Sequence, residues 1–354
     1  MSGNSEPQKI AVLCLSALGD FINSIPVLCA LRGRFPQAEL TVVCERSGTA
    51  QLARACNLAD EVVLLPPGLR RNPIKLAQAA MTLRRLGADI AVQTFASHGT
   101  CANILLFCTR AGVRAGLADG LFRAGATVAV PLVDDKHVIE LNLEVLEAAG
   151  LGRLPRPSDR YFPLLEDLSA NFGRAKLLAT YAPYVAIATG CDPALTFKRW
   201  GDEKWIALGK KIAATGRKVV FLGDRLEESR VRPLLSHIGE GHAVDLCGET
   251  SFEDLASVVG NSDLVVGVDG MILHVAAAMQ KHCVSLFGPT DERLIGPWGQ
   301  AAGVVRAPID AKPWYRATTV GMPMPNDAPD YMGALDVDTV WKVVEERLNA
   351  VRGV

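Results

Sequence analysis

The sequence predicts an α/β protein built from two doubly wound parallel sheets. Strand-like runs rich in Val, Ile and Leu alternate with helical segments along most of the chain, and these runs show little apolar–polar alternation. This pattern is typical of parallel strands that are covered by helices on both faces. The rhythm is interrupted once, by a proline-rich stretch near the middle. We therefore expect two domains, which a length of 354 residues also favours.

The first half of the chain contains five strand-like runs. They lie at Lys9–Leu15, Glu39–Glu45, Glu61–Pro66, Asp89–Phe95 and Val113–Leu117. The segment His137–Gly150 has the spacing of an amphipathic helix, and Gly150 is a suitable C-terminal stop. The next segment, Gly152–Leu165, contains three prolines and is predicted to link the domains.

The second half repeats the alternation of strands and helices. Its strand-like runs lie at Tyr184–Gly190, Lys218–Gly223, Ala243–Gly248, Asp263–Asp269 and Cys283–Gly288. The segment Ala307–Gly333 has the composition of a loop, and Val337–Val351 that of a final helix. Ligands of doubly wound sheets bind at the carboxyl ends of the strands. Two such sheets predict a cleft between the domains as the site.

Composition excludes several classes of protein. A formal net charge of −1 does not supply the basic surface that nucleic-acid binding needs. The nine cysteines form no CxxC pair, and several lie in apolar runs, as expected of buried thiols in a reducing compartment. The polar start MSGNSEPQK does not resemble a signal peptide, and no apolar run reaches the roughly 18 residues of a membrane span. We expect a cytoplasmic protein with at most a peripheral contact at the inner membrane.

Basic residues nevertheless cluster in one part of the first half. The cluster consists of Arg70, Arg71, Lys75, Arg84 and Arg85. Two interpretations are open: a solvated helix face, or a docking patch for an anionic acceptor or membrane surface.

The first candidate site is the turn after the first strand, which has the sequence SALGD and ends at Asp20. Gly19 would permit a tight turn close to a ligand. Asp20 would then lie at a helix N-terminus, where its role has two interpretations. Aspartate is a preferred N-cap residue, and a carboxylate there can also act as a general base that takes a proton from an incoming hydroxyl group.

The second candidate site follows the first strand of the second half. Two adjacent cations, Lys198 and Arg199, lie in the loop, and Asp202 is predicted to cap the next helix. Paired cations at the end of a strand suit a diphosphate. An ordinary basic loop would have the same composition.

The third candidate site is the turn that begins at Asp269, after a buried strand. Gly270 reduces the steric restriction on the backbone of the turn, and a helix follows. The backbone N–H groups of Gly270, Met271 and Ile272 would form an anion site, which the helix dipole favours. His274 would lie on the first helical turn, where a histidine can be structural or functional.

Several familiar motifs are absent from the sequence. No GxxxxGK[ST], GxSxG or HExxH motif occurs, and the glycines of Gly150–Gly152 follow a helix rather than a strand. The pair Asp134-Asp135 is interpreted as a turn rather than a metal site. The sequence therefore predicts neither a metal nor a bound cofactor.

Together, these segments resemble glycosyltransferase family nine, the bacterial ADP-heptose:lipopolysaccharide heptosyltransferases. The family's SALGD segment, followed by apolar residues and a proline, corresponds to SALGDFINSIP, which ends at Pro26. Its K-x-W segment corresponds to Lys198-Arg199-Trp200. Its late segments, D-L-V-V-G-x-D-T-G-x-x-H and F-G-P-T-D, correspond to DLVVGVDGMILH and FGPTD. The match follows the order of the family along nearly the whole chain.

The resemblance implies a GT-B fold, in which two Rossmann-like doubly wound domains face a central cleft. It implies an acceptor-binding domain at 1–165 and a donor-binding domain at 166–336, with the last helix, 337–354, packing back on the first domain. Acceptor contacts are expected from the first-domain loops Glu45–Ala50 and Phe95–Thr100. The implied activity is an inverting, metal-independent transfer of a sugar, with ADP-heptose the favoured donor, to a hydroxyl group of a cell-envelope glycolipid or lipopolysaccharide core.

The resemblance also implies roles for individual residues. Asp20 corresponds to the general base of the family, and Lys198 to the lysine that supports charge on the donor phosphates. The segment Asp269–His274 corresponds to the loop that binds those phosphates. Arg199 is a further candidate for donor binding.

One departure from the family pattern bears on the identity of the donor. The family has Asp-Thr-Gly where this chain has Asp269-Gly270-Met271, so a hydroxyl donor is lost while the backbone N–H groups remain. A catalytically reduced nucleotide-binding protein on the same scaffold is therefore an alternative, as is a GT-B enzyme that uses another nucleotide-sugar or acts as an epimerase. The intact SALGD segment favours the transferase, and its occurrence together with FGPTD disfavours the epimerase.

Overall fold

We analysed a computed structural model of the chain. It describes residues 6–95, 97, 99–118, 123–152, 181–310, 312–316, 319 and 324–352. The chain divides into two compact units, Met1–Tyr161 and Phe162–Val354. The proline-rich linker predicted at 152–165 lies, except for its first residue, outside the described residues.

The first unit contains a six-stranded parallel sheet with the order β3-β2-β1-β4-β5-β6. Its strands are β1 (Lys9–Cys14), β2 (Glu39–Cys44), β3 (Glu61–Leu64), β4 (Ile90–Gln93), β5 (Val113–Ala118) and β6 (Val128–Pro131). The five predicted strands are confirmed. The sixth, β6, has only four residues and ends in a proline at the sheet edge, where a missing N–H is tolerated and the sequence signal is weak.

Helices connect these strands. They are α1 (Leu18–Ile22), α2 (Ile25–Arg34), α3 (Ser47–Ala55), α4 (Pro73–Leu86), α5 (Thr100–Cys108) and α6 (Val138–Ala148). The helix predicted from His137 is confirmed and begins with a capping box. The His137 ring accepts a hydrogen bond from the Ile139 N–H at 3.2 Å, and the Glu140 carboxylate accepts one from the His137 N–H at 3.0 Å.

The second unit repeats this architecture, with the strand order β12-β11-β10-β7-β8-β9. Its strands are β7 (Tyr184–Ala188), β8 (Lys218–Phe221), β9 (Ala243–Asp245), β10 (Leu264–Val268), β11 (Cys283–Phe287) and β12 (Val304–Arg306). Its helices are α7 (Asp202–Ala214), α8 (Arg225–Ile238), α9 (Phe252–Asn261), α10 (Met271–Ala278), α11 (Glu292–Ile295) and α12 (Val337–Arg352). The five predicted strands are again confirmed, and the edge strand β12 was missed because it is only three residues long.

Both sheets are doubly wound, as the sequence predicts. In each unit the chain starts in the middle of the sheet, builds outward to one edge, and returns to build the other half. The strand order reverses between β1 and β4 in the first unit and between β7 and β10 in the second. In such sheets the crevice at the carboxyl ends of these two strands is the usual ligand site.

The last helix lies in the second unit. Val340, Val344 and Leu348 are buried in the same apolar cluster as Val284 and Leu286 of β11. The expectation that this helix, 337–354, packs back on the first domain stays a prediction, because these contacts describe the second unit alone. A stripe with helical spacing predicts a helix that covers a sheet, but it does not specify which sheet.

None of the helices in the described part of the chain combines the length and apolar character that crossing a membrane requires.

Candidate active site

The early carboxylate, Asp20, follows the central strand β1 of the first sheet. It is the third residue of α1 and is half-buried. The N-cap position is occupied by Ala17, so the interpretation of Asp20 as an N-cap is wrong. Gly19 also lies inside α1 rather than in a left-handed turn. Asp20 is thus placed in the first turn of a short helix at the switch point of its sheet.

Hydrogen bonds from several segments hold this turn in place. The Leu15 N–H donates to Ser97 Oγ at 2.6 Å, and Thr49 Oγ1 donates to the Ser16 carbonyl at 3.1 Å. Ser24 Oγ donates to the Asp20 carbonyl at 2.8 Å. Because its backbone is fixed from three directions, the turn can position a carboxylate with little conformational cost.

Of the loops expected to bind the acceptor, Glu45–Ala50 carries one clear structural role. Glu45 Oε1 accepts hydrogen bonds from the Gly68 and Leu69 N–H groups, at 2.8 and 3.2 Å. Of the other loop, 95–100, residues 96 and 98 lie outside the described part. Acceptor binding by these loops remains a prediction.

In the second unit, Lys198 and Asp269 form a buried ion pair across the switch point. Lys198 Nζ lies 2.6 Å from Asp269 Oδ2, and the two residues are only 7% and 5% exposed. Lys198 comes from the loop after β7, and Asp269 follows β10, its neighbour in the sheet. Two sequence-predicted site residues are thereby brought into direct contact.

The loop that carries Lys198 is anchored from both ends. Asp192 caps a 3₁₀ helix, Pro193–Lys198, by accepting a hydrogen bond from the Ala194 N–H at 2.9 Å. On the other side Trp200 is fully buried, packs edge-to-face on Trp205 at 4.8 Å, and donates from Nε1 to the Leu335 carbonyl at 2.8 Å. The tryptophan of the K-x-W segment is therefore a core residue that fixes the position of the lysine.

The helix α10 begins beside this ion pair, and Gly270 is its N-cap residue. Met271 and Ile272 are the first two helical residues, whose N–H groups have no acceptor within a helix. Met271 is half-buried and Ile272 is buried. The start of α10 therefore presents donor groups and the positive end of a dipole close to Lys198, as an anion site requires.

His274 is buried on the same helix, close to the ion pair. Burial lowers the pKa of His274 to about 4, a change that the Asp269 charge opposes and the Lys198 charge reinforces. Its Nδ1 atom has no hydrogen-bond partner among the described residues. At neutral pH the imidazole is therefore uncharged, and Lys198 supplies the positive side-chain charge at this point of the site.

We expect His274 to make the protein acid-sensitive. A histidine with a lowered pKa in the folded state binds a proton more readily when unfolded, so stability falls as the pH drops from its ordinary pKa of 6.5 toward about 4. Within that window the unfolding free energy should fall by about 1.4 kcal/mol per pH unit through this one group. His274→Gln should remove this part of the slope of unfolding free energy against pH, which chemical denaturation at several pH values measures. The control is His242→Gln, because His242 is exposed and its replacement should leave the slope unchanged. Equal slopes in wild type and His274→Gln would contradict the assignment.

The segment FGPTDERLIGPWG (Phe287–Gly299) forms an ordered loop near the same ion pair, as the sequence predicts, and the short helix α11 follows its FGPTD part. The Tyr315 N–H donates to the Pro289 carbonyl at 2.9 Å, and the Asp291 N–H donates to the Tyr315 carbonyl at 3.1 Å. These bonds hold the Tyr315 ring with its centroid 5.2 Å from Lys198 Nζ. The loop thus places an aromatic ring against the buried ammonium group, in the geometry of a cation–π contact.

Asp291 stabilises this loop. Burial acts to raise the pKa of its carboxyl group, but hydrogen bonds from Arg293 and the charge of Arg306 outweigh burial and hold the pKa below its ordinary value. The carboxylate accepts two hydrogen bonds from the Arg293 side chain, at 2.8 and 3.0 Å, and one from its backbone N–H at 3.0 Å.

Arg199 takes part in a second cluster, around Glu227, which sequence reasoning missed. Glu227 is buried, and its carboxylate lies 3.2 Å from Arg199 Nη2 and 3.4 Å from both Arg230 Nη1 and Thr189 Oγ1. Gly190 is required here because a Cβ atom on it would lie 2.7 Å from Glu227 Cγ. Arg199 is therefore directed toward a carboxylate, whereas Lys198 points into the α10 site.

A sequence signal for Glu227 does exist, but it indicates another role. Asp224 caps α8 and Glu227 stands at the third helical position, the spacing of a capping box. The carboxylate accepts hydrogen bonds from Arg199, Arg230 and Thr189, which come from segments around the carboxyl end of the sheet. The prediction that Asp202 caps α7 is wrong, like that for Asp20: Gly201 is the N-cap residue, and Asp202 pairs with Arg230 at 2.6 Å.

Comparison with known proteins identifies the family of this chain. The sequence model of glycosyltransferase family 9 (heptosyltransferase) matches residues 80–322. The chain belongs to glycosyltransferase family 9. It is 24% identical over 318 residues to lipopolysaccharide heptosyltransferase 1 of Escherichia coli, covering 85% of this chain and 92% of that protein. It is also 24% identical over 325 residues to lipopolysaccharide heptosyltransferase 2 of Salmonella typhimurium, covering 84% of this chain and 88% of that protein.

Solved structures of this family share the fold. The glycosyl transferase family 9 protein from Veillonella parvula superposes with a TM-score of 0.74 at 20% identity, covering 97% of this chain and 98% of that one. The E. coli heptosyltransferase WaaC with ADP superposes with a TM-score of 0.71 at 21% identity, covering 96% of this chain and 99% of that one. The predicted GT-B fold class is confirmed, and as a member of this family the chain is a glycosyltransferase.

Restoring the family's threonine at Gly270 should strengthen binding of a nucleotide diphosphate. Gly270 has an extended backbone, with φ −170° and ψ 173°, and a Cβ atom there would come no closer than 3.5 Å to other atoms. The backbone at Gly270 therefore accepts a Cβ atom, and Gly270→Thr adds a hydroxyl donor at the start of α10. A hydrogen bond to a charged group contributes about 1.5–3 kcal/mol, so the Kd for ADP should fall by roughly tenfold or more. Isothermal titration calorimetry measures the Kd for ADP. Gly270→Ala is the control, because it restricts the backbone as threonine does but adds no hydroxyl group.

Proposed function

We propose that this glycosyltransferase moves a heptose from ADP-heptose to a hydroxyl group of the lipopolysaccharide core, with inversion at the anomeric carbon and without a metal ion. The names of its relatives support heptose transfer to lipopolysaccharide. A family structure solved with ADP-2-deoxy-2-fluoro heptose supports an ADP-linked donor. The observation that carries the proposal is the buried Lys198–Asp269 pair at the start of α10, which supports binding of the phosphates of such a donor there.

In this mechanism the second unit binds the donor and stabilises the leaving group. As the bond between the anomeric carbon and the diphosphate oxygen breaks, ADP gains negative charge. The Lys198 ammonium group and the N–H groups of Met271 and Ile272 are already in place to stabilise that charge, so little reorganisation is needed. Glu227 follows β8, a position from which an acidic residue of a nucleotide-binding sheet can accept hydrogen bonds from a ribose.

The first unit binds the acceptor and supplies the base. The acceptor oxygen attacks the anomeric carbon on the face opposite the departing diphosphate, and the configuration of that carbon inverts. The Asp20 carboxylate takes the proton of the acceptor hydroxyl group as the new glycosidic bond forms. One proton moves to Asp20, one C–O bond forms and one C–O bond breaks, so the step needs no oxidant or reductant.

The test is a panel of ADP-, GDP- and UDP-sugars incubated with a lipopolysaccharide core acceptor. We expect nucleotide release and product only with an ADP-linked sugar, heptose preferred, and unchanged turnover in the presence of EDTA. NMR of the product should show the anomeric configuration opposite to that of the donor. Retention of configuration, or activity that EDTA abolishes, would contradict the mechanism.

A second candidate function follows from the Asp269-Gly270-Met271 segment. Since the hydroxyl donor of the family is missing there, the chain could bind a nucleotide without transferring a sugar. Tight binding of ADP, with no turnover of any donor in the panel, would favour this nucleotide-binding protein. If Gly270→Thr then produced turnover, the lost hydroxyl group would be identified as the cause.

A further inference from the structure

The outer face of α4 carries apolar and basic side chains that the proposed reaction does not use. Ile74 and Met81 lie seven residues apart, which places them on the same side of the helix. They are 69% and 51% exposed. Only five large apolar side chains of the described residues are exposed to a comparable degree, and two of these five share this face.

Arginines surround this apolar pair. Arg84 and Arg85 are exposed in the last turn of α4, and Arg71 is exposed just before its start. We call Arg71, Ile74, Met81, Arg84 and Arg85 the α4 patch. The segment from Val62 to Ala88 contains four arginines, one lysine and no acidic residue, in a chain whose net charge is −1. The patch is thus a local concentration of positive charge on a nearly neutral protein.

The surroundings of the patch leave most of this charge available. Lys75 contributes structurally, since its ammonium group donates to the Pro67 carbonyl at 2.8 Å. Arg85 borders a groove that Glu39 and Glu61 also line, so part of its charge is balanced. Arg84 instead lies near the end of α5, where its charge and that of Arg110 both act on the Cys108 thiol. The positive field therefore extends from α4 toward Arg110.

We propose that the α4 patch binds the surface of an anionic phospholipid bilayer. The guanidinium groups would contact lipid phosphates, and Ile74 and Met81 would enter the boundary between headgroups and acyl chains. Each basic residue near an anionic surface contributes to the free energy of binding. A small set of exposed apolar side chains adds to it by inserting into the membrane interface, without spanning the membrane. This inference goes beyond the proposed transfer reaction and does not depend on it.

A second copy of the chain fits the patch less well than a bilayer. In a two-fold dimer the same patch faces itself, so Arg84 and Arg85 of one copy would approach the same arginines of the other. Such like charges repel and disfavour the contact. A bilayer of anionic lipids offers the opposite charge and an apolar layer at the same time.

The experiment is co-sedimentation of the full chain with vesicles. We expect binding to mixed phosphatidylglycerol–phosphatidylcholine vesicles, little binding to pure phosphatidylcholine, and weaker binding as salt rises. The double reversal Arg84→Glu/Arg85→Glu should lower the partition coefficient by about tenfold or more. The double variant Ile74→Ser/Met81→Ser should lower it by roughly tenfold, through lost apolar burial.

Matched controls distinguish binding by the α4 patch from nonspecific effects of surface charge and exposed apolar side chains. Lys210→Glu/Lys342→Glu reverses two exposed lysines on α7 and α12, and Leu226→Ser removes another apolar side chain that is 69% exposed. Both controls should retain vesicle binding, and all variants should retain their melting temperature. Equal loss in patch and control variants would overturn the proposal, as would equal binding to neutral vesicles. So would a lipid-free dimer, seen by sedimentation velocity, that Ile74→Ser/Met81→Ser dissociates. Because vesicle binding needs no turnover, its outcome is independent of whether sugar transfer is found.

Discussion

Asp20→Asn should slow sugar transfer by about 10²–10⁴-fold, the usual contribution of a positioned general base. Asparagine has the size of aspartate but cannot accept the acceptor proton. The loss should appear in kcat, while the Kd for ADP should stay unchanged because the proposed nucleotide site lies in the second unit. Steady-state kinetics and calorimetry on the same preparation measure the two quantities.

The melting temperature separates a chemical effect of this variant from a structural one. Asp20 is half-buried and does not cap α1, so the melting temperature should change little. Glu147→Gln, the same amide replacement at an exposed carboxylate on α6, is the matched control and should transfer at the wild-type rate. If Asp20→Asn kept wild-type kcat, another group would have to be the base.

Lys198→Ala should reduce transfer by hundreds of times and also destabilise the second unit. One lost electrostatic donor at a developing charge costs about 3–4 kcal/mol of transition-state stabilisation. Breaking a buried ion pair on one side leaves the Asp269 carboxylate buried and uncompensated, which costs about 3–5 kcal/mol of stability. Transfer kinetics and denaturant unfolding followed by tryptophan fluorescence measure the two effects, since Trp200 and Trp205 lie in this core.

A double variant separates the catalytic effect from the structural one. Lys198→Ala/Asp269→Ala removes both charges, so most of the lost stability should return. Transfer should remain as low as in Lys198→Ala, because the positive charge for the leaving diphosphate is still missing. Recovery of transfer together with stability would show that Lys198 acts only through folding.

Local sequence patterns were sufficient for most of the fold. Runs rich in Val, Ile and Leu predicted ten of the twelve strands, because parallel strands in a covered sheet are apolar on both faces. The two missed strands, β6 and β12, are short edge strands of four and three residues. Their few residues carry too little periodicity, and their pairing depends on a neighbour that the local sequence does not contain.

Local patterns did not determine features that depend on partners remote in sequence. The stripe of α12 predicted a helix but not that it covers β11 of the second unit. Asp20 has the residue type of an N-cap, yet Ala17 is the N-cap residue of α1. Glu227 has the spacing of a capping box, yet Arg199 and Arg230 bind its carboxylate. For α12 and Glu227 the deciding contacts form only in the folded protein, and local sequence preferences do not contain them.

By itself, the sequence determined the two doubly wound sheets, the order of the family segments and the residue types at the ends of the central strands. Only the tertiary structure decided that Lys198 and Asp269, 71 residues apart, form a buried ion pair, and that His274 is uncharged beside them. It also decided that Arg199 forms an ion pair with Glu227. The reason is physical. Apolar periodicity is a property of neighbouring residues, whereas charge pairing and desolvation depend on distances between segments that only folding brings together.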